Sequence, residues 1–277
     1  MNRSSRALIA GTLVAATMVA TEGCTDNNAT LFIVDVLKVT PPQCTAQVDV
    51  TSTFLTNGIL DVAFAYEYDA LMLVANQYTP RGQKQNAKAE TTRIVLDGAE
   101  INLMNAAGKP LTNLAGQPLA DATGKPVQTS FTVLGSGYVD SNIGEAPGFG
   151  AFSAALIPEP VGFALSKSLA AGGFGSRETV YATVKVFGSS LGNQSVTSAP
   201  LTFPITVCIG CLLQFPTTAL VPVTGTSQVV CAGNTEAVQA VPCHVGQDDP
   251  IDCRLCAGSY EICRTPPSLV PSPVSTP

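Results

Sequence analysis

The sequence predicts an all-β chain, a β-sandwich over residues 31–207 with a small disulfide-rich loop module over 208–264 at the C-terminal side. Three observations carry this reading. Short apolar or alternating runs follow one another with turn residues between them, the pattern of a sandwich rather than of strands alternating with helices. Apolar residues make up 45% and charged residues only 12%, so the chain buries a sizeable core, and disorder or coiled coil is excluded as its main state. Finally, periodicity fades after residue 207 and seven of the nine cysteines fall between 208 and 263. Bridges there replace the core that so small a segment cannot build.

The first elements concern address rather than fold. Arg3 and Arg6 precede an uncharged apolar run over 7–20. That run is shorter than the ~20 residues of a membrane span and fits an export signal over 1–23. Thr21-Glu22-Gly23-Cys24 follows and resembles the lipobox of bacterial lipoproteins. The resemblance implies that Cys24 is acylated and becomes the mature N-terminus. It implies an outer-membrane lipid anchor, facing the periplasm or the cell surface, with residues 24–30 as anchor and tether. Plain secretion after cleavage at Gly23 is the alternative, since Thr21 and Gly23 are both small.

From Leu31 the pattern turns to strand. The run 31–39 is mostly apolar and ends at Pro41-Pro42. Residues 45–54 alternate, with Ala46, Val48, Val50 and Phe54 on one face, as in a half-buried strand. Asn57-Gly58 then predicts a tight hairpin. Its return strand places Leu60, Val62, Phe64, Tyr66 and Tyr68 together. Further strands are expected at 71–76, 91–96, 99–104, 129–134, 150–157, 179–187 and 201–207. Pro204 cannot donate to a ladder and marks the last of these as an edge. One helix is expected over 162–171, stopped by Gly172-Gly173. The arrangement resembles immunoglobulin-like and fibronectin-type domains in architecture alone, because a chain without Trp has no Cys–Trp–Cys signature.

Residues 105–127 hold three units of the form [ND]-x-x-G-x-P-[LV], opened by Asn105, Asn113 and Asp121. Asn or Asp with Gly three residues later is type I turn chemistry. The units predict a duplicated surface loop, with a ligand-binding tip as the less favoured alternative.

Nine cysteines in an exported chain leave one over. Acylation of Cys24 leaves Cys44, Cys208, Cys211, Cys231, Cys243, Cys253, Cys256 and Cys263 for four disulfides. Cys44 must then reach the C-terminal cluster. If 45–54 and 201–207 end at one pole of the sandwich, its partner is Cys208 or Cys211. Cys208-x-x-Cys211 and Cys253-x-x-Cys256 are also paired C-x-x-C motifs. They lie farther apart than the ~15–20 residues of a zinc ribbon, and an oxidising compartment favours disulfides over thiolate ligands. No βαβ context surrounds either pair, which weakens a thioredoxin-like reading.

Asp248, Asp249 and Asp252 lie between or beside cysteines and are weak Ca²⁺ candidates. Ca²⁺ takes about 6–8 oxygens, and a solvated acidic turn is the favoured reading. The stretch Cys243–Cys256 resembles the tails of myxobacterial-type lipoproteins, a likeness that implies no activity. His244 is the only histidine and reads as a loop residue, since no second histidine is there to share a metal. Ser136, in Gly135-Ser136-Gly137, lacks the nucleophile-elbow pattern. A pI near 4.7 argues against nucleic acid as a partner. Residues 265–277 hold five prolines and read as a disordered tail. The expected function is therefore a non-enzymatic envelope lipoprotein without cofactor. It would meet the membrane through its lipid and an envelope protein or surface glycan through its fold. The alternative is an extracellular enzyme or carbohydrate-active accessory domain, whose carboxylate site no spacing marks.

Overall fold

The computed structural model describes residues 30–78, 92–113, 115–141, 146–226, 228–232, 238 and 241–267. The export signal, Cys24, the tether up to residue 29 and the tail from residue 268 lie outside the described residues. Among the described residues no helix is long and apolar enough to cross a membrane.

The chain is mostly strand, as expected. In order come β1 (Leu31–Leu37), β2 (Phe54–Leu55), β3 (Gly58–Asp61), β4 (Tyr68–Asn76), β5 (Ile94–Met104), β6 (Ser130–Val139) and β7 (Gly148–Ile157). Helix α1 (Glu159–Ala170) precedes β8 (Arg177–Ser190), β9 (Ser195–Thr197) and β10 (Leu201–Cys208). One sheet has the order β2-β1-β4-β7, and the other β3-β10-β8-β5-β6 with β9 also on β8. Both contribute to a single apolar core, Val36, Met72 and Phe152 from the first and Ile101, Val184 and Phe203 from the second. Each such side chain contributes about 1.5–3 kcal/mol when fully buried.

Four local expectations need correction. Residues 45–53 contain no strand, and Val48 and Val50 stand exposed. The Asp49 carboxylate accepts hydrogen bonds from the backbone N–H and hydroxyl of Thr51, which draws the segment into a turn. Asn57-Gly58 does not close a hairpin either. Here the chain leaves β2, which pairs with β1, and enters β3, which runs parallel to β10 in the other sheet.

The strands expected at 91–96 and 99–104 are one strand, β5. Its register shifts between Leu96 and Gly98, so that Leu96 and Ala99 both reach the core. An inserted residue is the usual way to keep both on one face. Strand β10, finally, is flanked by β8 and β3 rather than forming an edge throughout. β3 covers only Ile205–Cys208, so Pro204 lies just past its end, where the missing donor breaks no β3 bond.

Helix α1 begins at Glu159, three residues earlier than expected. Pro160 sits in the first turn, where its missing N–H costs nothing. Val161, Ala164, Leu165 and Leu169 form the buried stripe.

After β10 the elements shorten. β11 (Leu213–Gln214) runs parallel to β14 (Ile251–Asp252), and β12 (Leu220–Pro222) pairs with β13 (Val229–Cys231). A one-turn helix, α2 (Cys253–Cys256), follows with Asp252 as its N-cap. This segment has its own apolar cluster, with Leu212, Leu213 and Ile251 packed among Cys231, Cys253, Cys256 and Cys263.

Candidate binding site and cysteine clasps

The C-terminal segment returns to the sheets at residues 246–248. Asp61 N–H donates to the Gly246 carbonyl at 2.8 Å and Asp248 N–H to the Ile59 carbonyl at 3.0 Å. Gln247 thus faces Leu60 as an antiparallel partner on the side of β3 away from β10. Gly246 holds φ at +90°, and a Cβ there would crowd Phe64 and Ala65 at 3.0 Å. The segment covers what would otherwise be an open sheet edge.

Two side chains lock this return. The Gln247 carboxamide pairs with the backbone of Asp69 at the irregular start of β4. The Asp248 carboxylate accepts from Ile59 N–H at 2.8 Å and from the Tyr68 hydroxyl at 3.0 Å. Tyr68 is fully buried and tilts against Phe203. Burial pushes the Asp248 carboxyl above the usual carboxylate range. Burial and the neighbouring carboxylate likewise push the Tyr68 phenol far up.

Beside this clasp lies a cavity of about 210 Å³. Lys38, Asp69, His244 and Asp249 supply polar groups, and Leu55 and Leu71 supply an apolar wall. Lys38 Nζ stands 3.9 Å from the Asp249 carboxylate. Such a cavity, below the ~300 Å³ of ordinary ligand pockets, suits one side chain or one small polar group. Asp248 also borders it, but its oxygens are engaged by Ile59, Tyr68 and Gln247. A carboxylate so committed is a structural acceptor rather than a free base.

The structure disperses the three aspartates considered for Ca²⁺. Asp248 turns to Tyr68, Asp249 to Lys38, and Asp252 to Arg254. Ser136 lies exposed on β6. Among the acidic side chains, Glu67 is raised by burial and by Asp69 and Glu159, and Glu178 by burial.

The disulfides correct the expected pairing. Cys44 joins Cys243, with Cα atoms 5.4 Å apart, and not Cys208 or Cys211. The reason is the missing strand at 45–53: Cys44 lies in a tight turn in which its N–H donates to the Thr40 carbonyl. That turn is tied to the loop that bears His244 and Gln247. Cys208, at the end of β10, meets Cys211. Cys231–Cys253 and Cys256–Cys263 close the C-terminal cluster. The two halves of Cys253-x-x-Cys256 go to different partners, so the two C-x-x-C motifs do not converge on one four-thiol site.

One functional-looking residue went unmarked in the sequence. Asp61 has no exposed surface, yet its carboxylate accepts from the N–H groups of Ala63, Gly210 and Leu212. It stands with Cys208 and Cys211 in a group whose carboxylate and sulfur atoms lie within 4.8 Å of one another. Burial pushes its carboxyl up, against the pull of those N–H donors. The only signal was an acid inside the apolar run 59–64.

The turn units behave as their spacing predicts. In each, the Asn or Asp side chain accepts from N–H groups two and four residues on. The glycines at 108, 116 and 124 take φ of 69°, 76° and 84°. Leu111 and Leu119 anchor the units in the core, and the tips point outward. No protein-family model matches the chain, and neither a curated protein nor a solved structure is found to be similar to it.

Proposed function

We propose that the chain is a non-enzymatic, exported envelope lipoprotein that acts as a binding or scaffolding module. In this reading its two large sheets form an immunoglobulin-like β-sandwich, and residues 208–264 form a disulfide-rich module clasped to one end. Cysteine pairing is the observation that carries the proposal. Eight cysteines combine as four disulfides, which supports reading the ninth, Cys24, as the site of the lipid. Complete pairing fits an oxidising compartment outside the cytoplasm. The cavity beside Lys38, His244 and Asp249 offers a place for a partner's polar group, supplied by an envelope protein or a surface glycan.

Replacing Cys24 tests the anchor. Acyl chains contribute ~0.8 kcal/mol per buried CH₂, and an acidic chain has no comparable attachment to a membrane. The Cys24→Ser protein is expected in the soluble fraction after a salt wash, while the parent remains with the membrane. Retention of Cys24→Ser in the washed membrane would overturn the lipid reading.

A further inference from the structure

We propose that Cys208 and Cys211 form a thiol–disulfide exchange centre that reacts with external dithiols, whereas the other three disulfides hold the fold. Two requirements for exchange are an accessible sulfur and a bond that the fold does little to protect. Cys211 is exposed and Cys208 is fully buried, so attack is confined to one sulfur. The pair is separated by only three residues. A bridge that closes so short a loop gains little from folding, and folding in turn protects it little.

The remaining bridges each lack one of these properties. Cys231–Cys253 and Cys256–Cys263 are buried at both ends. Cys44 is exposed, but its bond spans 199 residues and is strongly favoured by the folded chain.

Asp61 makes the opening reversible. Its carboxylate holds Gly210 at 2.7 Å and Leu212 at 3.0 Å through their N–H groups, on either side of Cys211. Cys208 is fixed separately, as the last residue of β10 between β3 and β8. The loop therefore stays closed over Asp61 without the S–S bond, and both thiols remain within reach of each other.

In the exchange, a thiolate of the external dithiol attacks Cys211 Sγ and the S–S bond breaks. Cys208 leaves as a thiolate and takes a proton. The second thiol of the reagent, as thiolate, then attacks the mixed disulfide and expels Cys211, which is protonated in turn. Two electrons and two protons pass to the protein, and the reagent leaves as its own disulfide.

The test equilibrates the folded mature protein across a series of dithiothreitol redox buffers, traps free thiols by alkylation and maps the peptides. A reduced two-cysteine peptide in a second arm asks whether a polypeptide dithiol reaches the same sulfur. Cys208 and Cys211 should open together, at least tenfold more readily than any other pair, with circular dichroism unchanged. In Cys208→Ser the remaining Cys211 should be alkylated in the folded state, and in Cys211→Ser the remaining Cys208 should be protected. Asp61→Asn should shift the potential of this pair alone. Opening of Cys208–Cys211 only together with unfolding, or after the other bridges, would overturn the proposal. So would two thiols that resist alkylation until a chelator removes a bound metal. Reaction with dithiothreitol but not with the peptide would confine the centre to small dithiols.

Discussion

The Gln247 carboxamide is bonded twice to the backbone of Asp69, accepting from its N–H at 3.0 Å and donating to its carbonyl at 2.6 Å. A side chain 178 residues further along the sequence thus bonds the backbone of β4 just before Met72, where the pairing of β4 with β1 stops. The neighbouring residue, Asp248, serves Ile59 and Tyr68 in the same way. Residues 246–248 are therefore a strand in all but length, and they join the disulfide-rich segment to both sheets.

Removing the Gln247 side chain leaves both Asp69 groups without that partner. Gln247→Ala should lose about 1–3 kcal/mol, the usual cost of stranding half-buried polar groups. Urea denaturation checks this. An unchanged midpoint would show that water replaces the carboxamide without cost.

The bond from Cys44 to Cys243 closes a loop with a sequence separation of 199. Chain-entropy reasoning gives such a loop ~5 kcal/mol. The double variant Cys44→Ala, Cys243→Ala should melt well below the parent, and Cys44→Ala alone should free a thiol on the Cys243 peptide. A thiol freed at Cys208 or Cys211 instead would contradict the pairing.

Local chemistry was legible in the sequence and long-range partnership was not. The turns opened by Asn105, Asn113 and Asp121 were readable because every group that makes them lies within a few residues. Asn57-Gly58 carries the same kind of signal but ends differently. Positive-φ tolerance says that the chain can turn, not whether it returns to its own sheet. Ala46, Val48 and Val50 alternated without a strand to pair with, so the period alone misled. Parity required that Cys44 reach the C-terminal cluster, and it does. The choice of Cys243 depended on where the 243–248 loop docks, which rests on Asp69 and Tyr68 rather than on anything near Cys44. Asp61 was hidden for the same reason, because two of its three N–H donors, Gly210 and Leu212, lie 149 and 151 positions away.

Acid should act on this fold in two opposing directions. Burial raises the carboxyls of Asp61 and Asp248. For these groups the folded chain takes up a proton at higher pH than the unfolded chain. Their effect on stability becomes more favourable as pH falls from the raised value to the ordinary ~3.9. Asp252 is held low by its hydrogen bonds with Arg254. Its stabilising contribution is present above ~3.9 and is lost as pH falls through the lowered value. Replacing Asp248 with Asn removes one group of the first kind. The parent should therefore gain stability relative to Asp248→Asn as pH falls from neutral towards the ordinary carboxylate value of ~3.9. Denaturation curves across that range check it, and a constant difference would show that Asp248 titrates alike in both states.

The turn tips separate backbone strain from packing. At Gly108, Gly116 and Gly124 an added Cβ would meet nothing within 4 Å, yet φ lies between 69° and 84°. Any cost of substitution there must come from the left-handed backbone, at about 1–2 kcal/mol for an ordinary L-residue. Gly116→Ala should therefore lose about that much, and Gly116→Asn should lose less because Asn visits this region readily. Asn113→Ala should also destabilise its own unit, since Asn113 Oδ1 accepts from the N–H groups of Ala115 at 3.0 Å and Gln117 at 2.9 Å. Hydrogen exchange resolved by residue would locate the losses. Faster exchange confined to residues 113–118 is expected, because Leu111 and Leu119 keep their places in the core. Loosening that spread into β5 or β6 would show that the units brace the sheet rather than decorate it.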